Sequence, residues 1–424
     1  MFGSVAVSTH SINDYTPIVG QAAIDELRRL AKPLEGKRIL ALSSPGASGA
    51  VRSLLHSSVP LFSDLGLDAH WQQVRVSAEF LDMDRDIRRA LSGGQVEWSA
   101  EIEKAWLEFN AANARLFDED FDIVIVHHTA SVGIYDAITQ LTGKRPAGAW
   151  LWDSHRDYHA AVSESWSLIR PYADHFAASI YDYKPFIRAD APTKRNVVIP
   201  PGVDPLGPRS GAVSTAMKQT IMDQRGIDPN RPILAQIVLS LREDDPLRVL
   251  DTYELVKAQR PDVQLVVVDL LGDAPDNAQA LNHLRERGRA IGDVTVLTEM
   301  DRVGNVELTT LRDQATVLIH QGMPRGISIE LLEEMWQAKP IVSGRSPVAE
   351  AVLTRPLVGV LADTPPEQAH AILGLLNEPA TAERIGAAAK DRIAQHHLIT
   401  HYLAGYLKLF QQVLPGRSGR SASE

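Results

Sequence analysis

The stretch His320-Gln321-Gly322-Met323-Pro324-Arg325-Gly326-Ile327-Ser328-Ile329-Glu330-Leu331-Leu332-Glu333-Glu334-Met335-Trp336-Gln337-Ala338-Lys339-Pro340-Ile341-Val342 decides the fold of this chain. An apolar run from Ala315 to Ile319 precedes it and predicts a buried parallel strand. Gly322, Pro324 and Gly326 predict a turn. Ile327, Leu331, Leu332, Met335 and Trp336 then recur at helical spacing, and Pro340 to Ser343 predicts a second strand. Strand, turn, helix and strand make a βαβ unit. The turn lies at the carboxyl end of its first strand, where ligands bind in open α/β sheets. A helix N-terminus there offers free N–H groups and a positive dipole end, which suit a phosphate.

Working outward, 424 residues are too many for one ordinary core and predict two domains. A hydrophobic content of 44% with 23% charged residues fits a globular chain and excludes a disordered one. Forty-three basic against 53 acidic residues give a net charge of −10, which disfavours sequence-independent nucleic-acid binding. With no cysteine, disulfides, thiolate metal sites and a cysteine nucleophile are excluded. No charged segment followed by an apolar one opens the chain, and no apolar run approaches a membrane span. A cytoplasmic protein with no membrane and no nucleic-acid partner is expected.

On the N-terminal side a helix is predicted over Gly20 to Ala31 and a strand over Arg38 to Leu42. The small-residue loop Ser43-Ser44-Pro45-Gly46-Ala47-Ser48-Gly49-Ala50 follows, and then a helix carrying Val51, Leu54, Leu55 and Leu61. This is the opening of a Rossmann-like half, and Gly49 is a candidate for close backbone approach to a ligand. Gly46 and Gly49 match no complete dinucleotide fingerprint, so the loop also fits a plain tight turn. Strands are expected at Trp71 to Val76, at Asp122 to Val126 and at Gly148 to Trp152. Helices are expected over Asp84 to Leu91 and Ser99 to Phe117. Two of the strands end in histidines: His127-His128 after the first and Asp153-Ser154-His155-Arg156-Asp157 after the second. That is the functional edge of such a sheet.

Asn196 to Pro201 predicts a strand, and Gly202-Val203-Asp204-Pro205-Leu206-Gly207-Pro208 an interdomain linker. Strand–helix alternation then restarts, with strands at Ile233–Leu239, Val263–Asp269, Val294–Leu297, Ala315–Ile319, Pro340–Ser343 and Leu357–Leu361. Helices near Pro366–Leu376, Ala380–Gln395 and Ile399–Val413 close the chain. Two successive halves predict an α/β protein of two doubly wound, Rossmann-like domains, residues 1–205 and 206–398, with a disordered tail from 416 to 424.

Several segments carry a resemblance. They are Asp14-Tyr15 with Pro17-Ile18-Val19-Gly20, Leu34-Glu35-Gly36-Lys37-Arg38, Val59-Pro60-Leu61, and Leu65-Gly66-Leu67. To these add Ile199-Pro200-Pro201-Gly202-Val203-Asp204-Pro205-Leu206, Pro261-Asp262-Val263-Gln264-Leu265, Val303-Gly304-Asn305-Val306-Glu307, and His396-His397-Leu398-Ile399-Thr400-His401-Tyr402-Leu403. In this order they resemble the GT-B glycosyltransferases of the glycogen-synthase and sucrose-synthase type. Within these they are most similar to trehalose glycosyltransferring synthase. The resemblance implies two Rossmann-like domains facing a cleft. It also implies that the C-terminal helix, residues 399–415, crosses back to the first domain. It implies that His155 and Asp157 lie under the donor sugar, that His127 faces the cleft, and that Glu333 binds the nucleotide ribose. Gly326, Ile327, Ser328 and Ile329 would line the donor phosphate.

The departures from the family pattern are as informative. The family's first glutamate aligns with Arg325, and the following Phe-Gly with Ile327-Ser328. Leu239 stands in place of a phosphate-clamping arginine and Asp244 in place of the lysine. Ser48-Gly49-Ala50 replaces a glycine triplet. Exchanging lysine for aspartate reverses the local electrostatics. Arg242 and Arg325 are the candidates for replacement charge.

Asp82-Met83-Asp84 and Asp118-Glu119-Asp120 read as solvated acidic turns, and His155, Asp157 and His159 lack a fourth metal ligand. No metal and no cofactor are expected beyond a nucleotide-diphosphate sugar as co-substrate. The expected partners are that donor and a small-molecule acceptor, with a homodimer as a further expectation. The altered clamp points to a divergent retaining transferase of secondary metabolism, with the thiosugar-forming lincosamide enzymes as one class. Trehalose synthesis from a nucleotide-activated glucose is the alternative. A pseudo-glycosyltransferase or a non-catalytic binding module is a further one.

Overall fold

The computed structural model describes residues 2–45, 49–193, 195–238, 247–270, 275–321, 326, 329–353 and 358–414. Arg242, Arg325, Ile327 and Ser328 lie outside the described residues, as do Leu239, Asp244, Ser48 and the tail from 416. The chain divides into two compact units. One is Met1–Pro201 together with the residues from Ile399 on, and the other is Gly202–Leu398.

The first unit is built on seven strands: β1 (Gly3–Ser4), β2 (Arg38–Ser43), β3 (Asp68–Gln73), β4 (Ile123–Val126), β5 (Ala149–Ser154), β6 (Ala178–Tyr181) and β7 (Asn196–Val198). Their order is β1-β3-β2-β4-β5-β6-β7. All neighbours are parallel except β1, which pairs antiparallel with β3. The near-continuous apolar runs of β2 and β4 are what a sheet covered on both faces requires. One face rests on Trp106, Phe109, Trp150, Trp152, Tyr158 and Trp166.

The opposite face receives the helices Gln21–Ala31, Gly49–Asp64 and Ile399–Val413. The last of these packs Tyr406 and Phe410 against Phe62. Its Gln411 side chain donates to the Leu30 carbonyl at 2.6 Å. The helix carries Tyr402, Leu403, Tyr406, Leu407 and Phe410 on one buried stripe, the spacing that fixes its packed face.

The second unit holds β8 (Ile233–Val238), β9 (Gln264–Asp269), β10 (Val294–Thr298), β11 (Val317–His320), β12 (Ile341–Ser343) and β13 (Val360–Leu361). Their order, β10-β9-β8-β11-β12-β13, is the fully parallel dinucleotide-fold arrangement. Its switch point falls between β8 and β11, so the carboxyl end of β11 lies at the expected ligand edge. The helix that follows runs Ile329–Trp336.

Several expectations are corrected. The strand expected at Trp71 to Val76 begins three residues earlier, where Asp68 pairs in register with Arg38 and neutralises it at 3.4 Å. Strand β6 and the helix Ser163–Ala173 were not anticipated. Asp84 is not in a solvated turn. It lies on the helix Ala78–Leu91, is 3% exposed, and accepts from His128 Nε2 at 3.0 Å while pairing with Arg88 at 2.9 Å.

Candidate active site

In a strand, alternate residues share a face, and parallel register decides which of them meet. Ile125 pairs with Leu151, and Asp153 with Ile180. Two residues further on, the same alternation sets His127 beside Asp153 and His155 beside Asp182. All four side chains leave the sheet on the face covered by the C-terminal helix. The result is a buried polar cluster at the carboxyl edge of β4, β5 and β6.

His155 Nδ1 lies 3.1 Å from Asp182 Oδ1, and its Nε2 lies 3.2 Å from His127 Nδ1. The two imidazole rings are stacked, 5.5 Å between centroids and 6° apart. Asp153 Oδ2 stands 3.1 Å from His127 Nδ1 and 3.3 Å from His155 Nε2. The Tyr406 hydroxyl of the C-terminal helix donates to that same Asp153 oxygen, and the Tyr402 hydroxyl donates to Tyr406 at 3.3 Å.

Burial pulls the His155 pKa down, but Asp153 and Asp182 more than offset it and hold it at about 9. Burial lowers His127 despite Asp153. Burial works to raise Asp153, yet His155 and His127 keep it below the usual carboxylate value. Burial raises Asp182. One proton arrangement fits these directions. His155 is an imidazolium that donates from Nδ1 to Asp182 and from Nε2 towards Asp153, and neutral His127 carries its proton on Nδ1 and donates it to Asp153 Oδ2.

Sequence reasoning selected His127 and His155 and quoted Asp153 without a role. It missed Asp182, because β6 is short and small-residued, and Tyr406, because only packing brings the last helix onto β5. Asp153 and Asp182 together put two buried carboxylates at the ends of neighbouring strands. The coordinating atoms of His127, Asp153 and His155 lie within 4.8 Å of one another, close enough to hold a small cation. Asp153 and Asp182 already engage one nitrogen of His127 and both nitrogens of His155.

Asp157 is not part of this cluster. Its Oδ1 accepts from the His159 backbone N at 2.9 Å and faces His159 Nδ1 at 2.5 Å. Gly49 opens the helix Gly49–Asp64 with open space where a Cβ would stand.

In the second unit Glu333 is 3% exposed on the helix Ile329–Trp336. Arg209 Nε meets its Oε1 at 3.1 Å, and Arg312 Nη2 stands 3.0 Å from its Oε2. Arg312 closes the helix Asn305–Gln314 and is fully buried, so it requires a counter-charge. Burial pushes the Glu333 carboxyl up, against the pull of Arg312 and Arg209. His320, at the end of β11, faces Glu334 at 3.1 Å. Gly326 is buried, and Ile329, at 2% exposure, begins the helix beyond it. No signal in the sequence flagged Arg209 or Arg312.

Comparisons with known proteins agree with this architecture. The family described as trehalose synthase, N-terminal domain, matches residues 41–188, and glycosyl transferases group 1 matches residues 217–392. A trehalose synthase of Rubrobacter xylanophilus is 28% identical over 95% of this chain and 97% of its own length. One of Thermococcus litoralis is 27% identical over 94% and 96%. Among solved structures, Anabaena HepE in complex with UDP and glucose is similar with a TM-score of 0.67 at 14% identity, covering 88% of this chain and 99% of its own. The chain is a two-domain glycosyltransferase of the GT-B fold. Within that class it is a divergent, trehalose synthase-like protein.

Proposed function

We propose that this glycosyltransferase joins two glucose units into trehalose. It would take one from a nucleotide-diphosphate glucose and use free glucose as acceptor, with retention at the transferred carbon. The observation that carries the reading is the similarity to trehalose synthases along nearly the whole of both chains. It favours trehalose over the lincosamide-type reading, for which the relatives give no support. A neighbour of the same fold crystallised with UDP and glucose supports a nucleotide-sugar donor.

In the reaction, the bond from the sugar C1 to the diphosphate oxygen breaks and one from C1 to the acceptor oxygen forms. The acceptor hydroxyl proton passes to the departing diphosphate on the same face. The imidazolium of His155, held by Asp182, adds positive charge to a buried site in which charge separation develops. His127, Asp153 and Tyr406 position it. Glu333 serves the nucleotide ribose, and Gly326 and Ile329 mark the helix start for the diphosphate. Gly49 offers backbone approach in the first unit, and Asp157 serves the sugar through its free carboxylate oxygen. No resident metal is needed.

The test is release of nucleoside diphosphate from UDP-, ADP- and GDP-glucose, each with glucose and with a panel of other acceptors. Glucose-dependent release from at least one donor is expected. Release with no glucose dependence, but with a thiol or aminocyclitol acceptor, would return the reading to a divergent transferase.

A further inference from the structure

The Glu333 carboxylate is already engaged by two guanidinium groups, and the two are not equivalent. Arg312 has no exposed surface and is fixed at the end of a helix. Arg209 keeps 13% of its side chain exposed and lies outside regular secondary structure, in the turn where Ser210 N and Gly211 N both bond to the Gly207 carbonyl. Arg312 Nη2 stands within ion-pair range of Oε2 without an aligned hydrogen bond, and Arg209 Nη2 is buried with no hydrogen-bond partner among the described residues. Its partial exposure and its place outside any helix or strand make Arg209 the partner that can leave.

A ribose diol donates two hydrogens, and a carboxylate receives them best with both oxygens. Oε1 is taken by Arg209 Nε. A ribose that reaches Glu333 must displace that nitrogen. The released guanidinium then carries a full charge and five donors. Glu333 is one helical turn from Ile329, the first residue of its helix, and a helix start is where a phosphate is held. This chain also lacks the arginine and lysine that the family places on the diphosphate, having Leu239 and Asp244 there.

We propose that Arg209 is an exchangeable counter-ion. It occupies the ribose carboxylate in the free protein, and on nucleotide binding it turns onto the diphosphate, so that it sets the preference for a nucleoside diphosphate over the bare nucleoside. The proposal rests on the reading of Glu333 as the ribose carboxylate. It predicts opposite responses from two ligands. Removing Arg209 frees Glu333 for ribose, which helps the nucleoside, and removes a cation from the phosphates, which harms the diphosphate.

The test is calorimetric titration of the full chain with uridine and UDP, and with the adenosine and guanosine pairs. Wild type is compared with Arg209→Ala and Arg209→Lys, and melting temperature reports on folding. In Arg209→Ala, diphosphate affinity should fall about tenfold or more, the worth of a hydrogen bond to a charged group. Nucleoside affinity should hold or rise. Arg209→Lys, which keeps the charge without the fork, should retain part of the preference and serves if the alanine variant is unstable. Equal weakening of both ligands in a folded variant overturns the proposal and makes Arg209 a structural brace. If wild type binds no nucleoside diphosphate, the reading of Glu333 falls first, and the proposal with it.

Discussion

A protonated histidine between two buried aspartates sets the chemistry of the first unit. In the folded chain His155 keeps its proton up to a pH of about 9, whereas an unfolded histidine loses it near 6.5. The charge therefore stabilises the fold fully below 6.5, and that contribution is lost as the pH rises towards about 9. The groups that face it are Asp153, Asp182, His127 and Arg156, and Tyr406 reaches it only through Asp153. Urea unfolding from pH 6 to 9.5 should lose on the order of a few kcal/mol, and His155→Gln should flatten the slope. An equal slope in that variant would mean that another group titrates.

Asp182→Asn removes one of the two carboxylates that hold the proton. Its kcat/KM profile should lose its alkaline limb at lower pH than wild type. An unmoved limb would separate Asp182 from the reacting site. His155→Ala should lower turnover by roughly 100-fold or more while nucleotide affinity, measured by calorimetry, stays within about twofold. The two histidines were legible in sequence because they follow apolar strand runs. Asp182 was not, because its place depends on a register that only the paired strands fix.

At the scale of elements, the last helix closes the first unit. Its periodic stripe from Tyr402 to Phe410 made it legible as a helix, and the family likeness implied where it packs. The hydroxyl that Tyr406 lends to Asp153 belongs to no pattern and could not be read. Phe410 is fully buried against Phe62. Phe410→Ala should cost roughly 3–5 kcal/mol, and Lys408→Ala on the exposed side of the same helix roughly 0.5 or less. Thermal and denaturant melts of both variants check this, and comparable losses would place the helix elsewhere. The acidic pair around Met83 shows the opposite failure. Asp82 and Asp84 look alike in sequence, yet one side chain is 74% exposed and the other 5%, because only Asp84 faces His128 on its helix.

Over the whole molecule, the restart of strand–helix alternation after Pro208 is what made two Rossmann-like units readable. The structure divides the chain a few residues earlier, between Pro201 and Gly202. Among the described residues no helix is long and apolar enough to cross a membrane. The donor side was the least legible part. The sequence marked Glu333, but its two arginine partners come from a turn and a helix end far from it in the chain. Dialysis against a chelator should leave turnover unchanged. Loss of activity restored by zinc would make His127, Asp153 and His155 ligands instead of a proton network.

The central claim is the linkage that this chain forms. The most direct measurement is carbon NMR of the product from the accepted nucleotide-glucose and glucose labelled with carbon-13 at C1. The account predicts a labelled anomeric carbon in an α,α-1,1 linkage, equivalent to its unlabelled partner, with the donor's configuration kept. A product linked through any other acceptor position, or one with an inverted donor carbon, would contradict it.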